Sequence, residues 1–264
     1  MNDFFLGLKI YGDDFSLDEM TYWFKEEENG YSNLGYVDSE TDYYPYHLMN
    51  FNYGWKYVDG DALKVLGLGS AFGSEFEKVK ELISSITIVE PGKKFWRRAA
   101  FGHELNYLMP NATGRLDFNN STFELITVFG VLHHIPNVSY VFSELIRVLK
   151  PGGYLLIREP IISMGDWRFP RSGLTKNERG ISIGCMNELI LQHGMELMAE
   201  NFIGFSPMQK IMSKLGLRNY WSNNIVVEID RALCRLFKFN YRYHRIKFLH
   251  RFAPSTGYWV VRKK

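Results

Sequence analysis

Between residues 61 and 160, short apolar runs alternate with segments whose apolar positions recur every three or four residues. The runs predict strands at Leu63–Leu68, Ile86–Glu90, Leu105–Met109, Leu125–Phe129 and Tyr154–Glu159, and the intervening segments predict helices at Glu75–Ser84, Lys93–Phe101 and Ser139–Leu149. The last of these carries Val141, Leu145, Val148 and Leu149 on one stripe, which suits a helix lying on a sheet. Repeated strand–helix–strand order is the pattern of a doubly wound α/β domain, with a parallel sheet covered on both faces. Further on, the pattern predicts a helix near Gly184–His193, a strand near Met195–Phe202, a long helical stretch over about 206–250 and a last strand, Tyr258–Arg262. Residues 1–60, rich in Tyr, Asp, Glu, Asn and Gly, read as short helices and turns. With no internal repeat and no low-complexity linker, 1–264 is expected to be one domain, made of a front extension (1–60), a core (61–160) and a late region (161–264).

Composition narrows the picture. A hydrophobic share of 46% supports a full core, and 23% charged residues argue against disorder. The aromatic share of 16% fits a core and also the walls of a pocket for an organic ligand. The formal net charge of +2 gives no ground for expecting nucleic acid or a membrane surface as partner. The two cysteines, Cys185 and Cys234, lie far apart, so neither a disulfide framework nor a zinc site is expected. No apolar run is long enough to cross a membrane, and the opening Met1-Asn2-Asp3 lacks the basic flank of a signal peptide. A soluble, cytoplasmic protein is expected, a monomer or homodimer without membrane insertion.

The first candidate chemistry lies where the strand Leu63–Leu68 runs into a helix through Gly67-Leu68-Gly69-Ser70-Ala71-Phe72-Gly73. Small residues at Gly69, Ala71 and Gly73 let a ligand approach the backbone, and Ser74 with Glu77 has the spacing of a capping box. A dinucleotide loop would place its third glycine at Phe72, whereas the spacing 69, 71, 73 suits the ribose and carboxypropyl chain of S-adenosylmethionine. Glu90, followed by Pro91-Gly92, ends the second strand at the same sheet edge and can accept both hydroxyls of a ribose. Both ligand classes use such an acid, so these residues leave the choice open.

Two later motifs separate the classes. Leu125-Ile126-Thr127-Val128-Phe129-Gly130-Val131-Leu132-His133-His134-Ile135-Pro136 resembles the fourth motif of class I S-adenosylmethionine-dependent methyltransferases. Leu145-Ile146-Arg147-Val148-Leu149-Lys150-Pro151-Gly152-Gly153-Tyr154 resembles the helix-turn-strand signature of the same family. With the glycine loop and Glu90, the resemblance covers about 60–160. It implies a seven-stranded Rossmann-like sheet, mostly parallel with an antiparallel last strand, plus an N-terminal helical lid and a helical insertion before that strand. It also implies S-adenosyl-L-methionine as cofactor, with Gly67, Gly69, Ser70, Ala71, Gly73, Glu90 and Pro91 around it, Phe129 and Gly130 beside its methionine part, and Asn111 and Thr113 near its adenine. The chain departs from the family at Gly67, where an acid is usual, at Ala71, where a glycine is usual, and at Asn111-Ala112-Thr113, where an acid near the adenine is usual.

For the transfer itself, the resemblance implies His134 as general base, with His133 as the other candidate. Sequence gives no carboxylate/histidine cluster whose positions could be named as metal ligands, so none is expected. Glu159 ends the next strand at the ligand-facing edge, ahead of a long unpatterned loop containing Asp166, Trp167, Arg168, Arg171, Lys176 and Arg179. Arginines with a Trp suit a small acceptor that is anionic or sugar-like. The segment 205–250, with Lys210, Lys214, Arg218, Arg231, Arg235, Lys238, Arg242, Arg245 and Lys247 against Glu228 and Asp230, points the same way. In the front extension, Tyr22–Glu28 and Tyr43–Asn50 read as lid helices, with Tyr46 and His47 able to touch a ligand. The chain as a whole resembles bacterial methyltransferases of sugar and surface-polysaccharide modification. This implies O-methylation of a sugar, nucleotide-sugar or glycan hydroxyl; methylation of a polyketide or quinone precursor, or cofactor binding without transfer, are the alternatives.

Overall fold

The apolar runs of the central third lie at the middle of one sheet because residues such as Val65, Leu66, Ile126, Val128, Leu155 and Ile157 are buried on one face or the other. The computed structural model describes residues 2–33, 44–217 and 220–264; Tyr43 and Arg218 lie outside them. Its strands are β1 (Leu63–Leu68), β2 (Ile83–Val89), β3 (Ala99–Ala100), β4 (His103–Leu108), β5 (Phe123–Phe129), β6 (Leu149–Pro160), β7 (Glu196–Phe205) and β8 (Pro254–Arg262). They form one eight-stranded sheet in the order β3-β4-β2-β1-β5-β6-β8-β7. β1 pairs in parallel with β2 and β5, as do β2 with β4 and β5 with β6, while β8 runs antiparallel between β6 and β7. This is the doubly wound, mostly parallel sheet expected, with a two-residue eighth strand added at one edge.

Helices α1 (Asn2–Leu6), α2 (Leu17–Asn33) and α3 (His47–Tyr53) come from the front region, and α4 (Val138–Val148), α5 (Ile183–Gln192), α6 (Ser206–Lys214) and α7 (Asn224–Leu236) from the rest. α4 and α5 pack against one sheet face through Val141, Leu145, Met186 and Leu189, and α3 packs against the other through Met49 and Tyr53. Among the described residues, no helix is long and apolar enough to cross a membrane.

Four local expectations fail for identifiable reasons. Lys93–Phe101 is not a helix: a three-residue turn, Lys93–Phe95, leads to the edge strand β3. Side-chain contacts hold this segment extended, because Trp96 stacks on Tyr107, its Nε1–H donates to Glu90 O, and Arg97 lies 3.8 Å over the Phe72 ring. The helix after the glycine loop is a 3-10 helix, Ser74–Leu82, whose N-cap is Gly73 with no side-chain cap bond. The capping box does not form; Glu77 faces His47 of α3 instead, at 3.1 Å. β6 begins at Leu149, so the Lys-Pro-Gly-Gly turn lies within the strand, with Gly152 at φ +77 and its N–H donating to Lys263 O. The long helical stretch breaks into α6, α7 and short turns. Gly216, left-handed at φ +70, follows the end of α6, and Asn223 starts α7 afresh by accepting from the Ile225 and Val226 N–H groups.

Candidate functional site

The carboxyl end of β1 turns through three alternating left-handed residues, Gly69 (φ +62), Ala71 (φ +44) and Gly73 (φ +72). A Cβ on Gly69 would come within 2.6 Å of the Val131 side chain, so only glycine fits there. Ala71 occupies a conformation that costs an L-residue about 1–2 kcal/mol. Two bonds fix it: its N–H donates to Glu90 Oε2 (3.1 Å), and Tyr107 OH donates to its carbonyl (2.8 Å). Glu90 also accepts the Gly92 N–H (2.8 Å), and burial pushes its carboxyl up from the ordinary range. The acid at the end of β2 thus shapes the loop as well as facing the space above it.

Gly67 cannot carry a side chain, because a Cβ there would lie 2.2 Å from Ser70 Oγ and 3.2 Å from the Phe76 ring. A carboxylate stands next to this loop all the same. Glu75 is buried, accepts Thr127 Oγ1–H (3.3 Å), and is pushed up to about 7 by burial. Sequence reasoning passed over Glu75 because it reads as an ordinary acid in the first turn of a helix.

Two hollows meet at Gly69. In one, Leu68, Val89, Pro110, Ile135 and Pro136 give apolar walls, and Glu90, Pro91, Asn111, His134 and Glu27 line it too. The other is lined by Tyr44, Ser70, Ala71, Glu75, Phe129 and Arg158. Together they suit an elongated ligand with a flat apolar end, a hydroxyl pair near Glu90, and a zwitterionic end between Glu75 and Arg158. Arg158, third from the end of β6, is a site residue without an assigned role in the sequence pattern. It is sandwiched over the Tyr46 ring (4.2 Å) and the Phe129 ring (5.1 Å), and donates to Asn50 Oδ1 (3.2 Å).

The two histidines leave β5 in a short turn, Leu132–His134, held from below by Glu159. Glu159 is fully buried and accepts the N–H groups of Val131 (2.7 Å) and Leu132 (2.8 Å) and Nδ1–H of His133 (2.7 Å). Burial is the main reason the His133 imidazole is held below its usual range. His134, on the cleft wall, donates from Nδ1 to Glu27 Oε2 of α2 at 2.9 Å. Thr175 Oγ1 donates to the other Glu27 oxygen at 2.7 Å. His133, His134 and Glu178 each offer a ligand-type atom, all within 4.8 Å of one another. The fold therefore supplies a cluster of metal-ligand type that the spacing along the chain did not show, because Glu178 comes from the distant loop.

Other predicted positions fall in three groups. Gly69, Ser70, Ala71, Glu90, Pro91, Asn111, Phe129 and His134 line the two hollows. Gly67, Gly73, Thr113 and Gly130 shape the backbone nearby: Thr113 Oγ1 donates to Asn111 Oδ1, and Gly130, at φ +77, donates its N–H to Arg158 O. Tyr46 lines a third hollow with Arg158, and His47 pairs with Glu77.

The expected acceptor loop behaves differently. Trp167 is 4% exposed and packs on Phe5 (4.5 Å) and Tyr11 (5.1 Å), so its ring is not presented for a sugar to stack on. Arg168 is paired with Asp166 (2.8 Å), and Arg171 donates to the carbonyls of Met164, Thr175 and Lys176. Arg179 is fully buried and donates to the carbonyls of Tyr11, Leu132, Ile135 and Pro136 at 2.8–3.1 Å. Lys176 lies over the Tyr22 ring at 5.1 Å. Arg179, like Glu159, holds the histidine turn in place and has no surface to offer an acceptor.

Residues 66–157 match the methyltransferase domain family. The match begins in β1 and ends in β6, and so contains the glycine loop, Glu90 and both histidines. A demethylmenaquinone methyltransferase of Bacillus cytotoxicus is 32% identical over 42% of this chain and 47% of its own length. A ubiquinone biosynthesis O-methyltransferase of Vibrio parahaemolyticus is 26% identical over 72% of this chain and 88% of its own. The chain spans about half the length of the first curated relatives it matches. Among solved structures, an S-adenosylmethionine-dependent methyltransferase from Mesorhizobium loti superposes with a TM-score of 0.52 at 14% identity, covering 79% of this chain and 94% of that one. The fold is that of class I S-adenosylmethionine-dependent methyltransferases.

Proposed function

We propose that this chain is an S-adenosylmethionine-dependent O-methyltransferase acting on a hydroxyl of a small molecule, with His134 as general base. The observation that carries the reading is His134 on the cleft wall with Nδ1 bonded to the buried carboxylate of Glu27. That bond sets the tautomer: Nδ1 carries the hydrogen and Nε2 the lone pair that takes the acceptor's proton, while Glu27 stabilises the imidazolium that results. S-adenosylmethionine supplies a methyl group on a sulfonium, which leaves alignment and proton removal as the protein's tasks. Glu90 holds the ribose hydroxyls, the apolar walls beside Asn111 take the adenine, and Glu75 with Arg158 takes the amino-acid end. Gly69, Ser70, Ala71, Phe129 and Gly130 supply the close backbone between. His133, fixed by Glu159, positions its neighbour.

The loop 163–180, one of the grounds for a sugar-like or anionic acceptor, engages Trp167, Arg168, Arg171 and Arg179 in contacts within the protein. Likeness to an O-methyltransferase of ubiquinone biosynthesis over most of the chain ranks a quinone-precursor hydroxyl ahead of a sugar hydroxyl. His134→Ala should lower turnover by about 10²–10⁴ while leaving cofactor affinity unchanged. Near-normal turnover of the variant with its true acceptor would end the assignment. A panel of quinone-precursor and sugar acceptors, read by release of S-adenosylhomocysteine, decides between the two classes.

A second reading has the His133, His134 and Glu178 cluster behind it: a divalent ion held there would acidify an acceptor hydroxyl directly. In the base-only reading, activity survives exhaustive chelation; loss on chelation with recovery on adding one divalent metal supports the second.

A further inference from the structure

The near-neutral total charge conceals a strong local imbalance. Nearly half of the large apolar side chains exposed among the described residues fall between 206 and 251, including Ile225, Ile229, Leu236, Phe239, Phe248 and Leu249. The same segment exposes Lys210, Lys214, Arg235, Arg242, Lys247 and Arg251. Of its two acids, Asp230 is buried and accepts the N–H groups of Gly204 and Phe205, which leaves Glu228 on the surface beside Arg231.

α7 shows the arrangement most clearly. Its buried residues, Val227, Asp230 and Cys234, lie on one side, and Ile225, Ile229 and Leu236 lie on the opposite side, at helical spacing. The helix thus carries two apolar stripes; one is buried within the fold, and the other is exposed among the described residues. Arg235 lies beside the outer stripe, on the same side as Glu228, which pairs with Arg231. The pieces are tied into one unit: Arg245 donates to Ser206 Oγ (2.7 Å), Asn240 Nδ2 donates to Phe252 O (3.0 Å), and Phe205 packs against the Phe237 and Phe252 rings.

We propose that the segment 206–251 is a docking surface for the headgroup region of an anionic lipid bilayer, on which the protein lies without spanning it. Apolar side chains with interleaved cations match a layer of negative headgroups over hydrocarbon, and a basic amphipathic helix is the element that lies in such an interface. A second copy of the chain fits less well, because a two-fold contact through this patch would set like charges against one another. The inference goes beyond the proposed methyl transfer and does not depend on it.

Co-sedimentation of the intact protein with vesicles tests it. Partition onto phosphatidylcholine vesicles carrying one-third phosphatidylglycerol is expected at low salt, with weaker partition at high salt and little onto phosphatidylcholine alone. Two variants at exposed positions, Ile229→Ser with Phe248→Ser and, separately, Arg235→Glu with Lys247→Glu, should each weaken partition at least tenfold with an unchanged melting temperature. No partition onto anionic vesicles at low salt, or equal partition onto both vesicle types, overturns the proposal. So does a dimer in sedimentation equilibrium that the apolar variant dissolves, since a second copy would then cover the patch.

Discussion

Two basic stretches of this chain, the loop over 163–180 and the segment over 206–251, look alike as sequence and end in opposite states. The loop turns Arg171 and Arg179 inward and leaves Arg168 and Lys176 exposed. Arg179 is fully buried on four backbone carbonyls, Arg171 ties three more, and Arg168 is neutralised by Asp166. The later segment keeps Lys210, Lys214, Arg235, Arg242 and Lys247 on the surface among exposed apolar side chains. A run of arginines therefore says little about a ligand until its donors are accounted for. Where carbonyls of a distant turn need partners, guanidinium groups serve as scaffold; where a helix has a second face to fill, they remain outside.

The contrast can be broken by substitution. Arg179→Ala removes a charged donor from the carbonyls of Tyr11, Leu132, Ile135 and Pro136, of which Leu132 and Pro136 keep backbone donors in Ile135 and Val138, and it should cost about 3 kcal/mol, lowering the melting temperature by roughly 10 °C. An unchanged melting temperature would show that the buried arginine is not the scaffold claimed here.

Glu75 extends the comparison to acids. Burial raises its folded pKa to about 7, above the ordinary value of 4.5, so the folded state binds the proton more tightly than the unfolded one. Stability should consequently fall as pH rises from about 4.5 to 7, by an amount on the order of 3 kcal/mol, and stay low above that. Glu75→Gln should remove this fall, giving a variant more stable than the parent at pH 8 and little different at pH 4; urea midpoints across the range would show it. Arg171→Ala, which frees carbonyls in a half-exposed loop, should cost about 1–2 kcal/mol by the same measurement. Arg235→Ala, exposed on α7, should change stability by no more than about 0.5 kcal/mol.

Much of the site was legible because its parts are local in sequence. The glycine loop, Glu90 and the histidine turn each occupy consecutive residues, and strand ends in a parallel sheet bring them to one edge. What escaped depends on long-range contacts. The Glu27 carboxylate reaches His134 across more than a hundred residues, and Glu178 reaches His133 from the far end of a loop. No periodicity announces either. Lys93–Phe101 has a helical pattern, but Trp96 and Arg97 find aromatic partners that hold the chain extended. The role of Glu75 became visible only once Ser70 and Phe76 were seen to fill the place of a side chain at Gly67.

Calorimetric titration with S-adenosylmethionine tests the central claim most directly, because every proposed role of Glu90, the glycine loop and His134 presupposes that the cofactor lies there. Saturable binding in the micromolar range is predicted, weakened about tenfold or more by Glu90→Ala and little affected by His134→Ala. No heat of binding at millimolar cofactor, with the protein folded, would contradict the account.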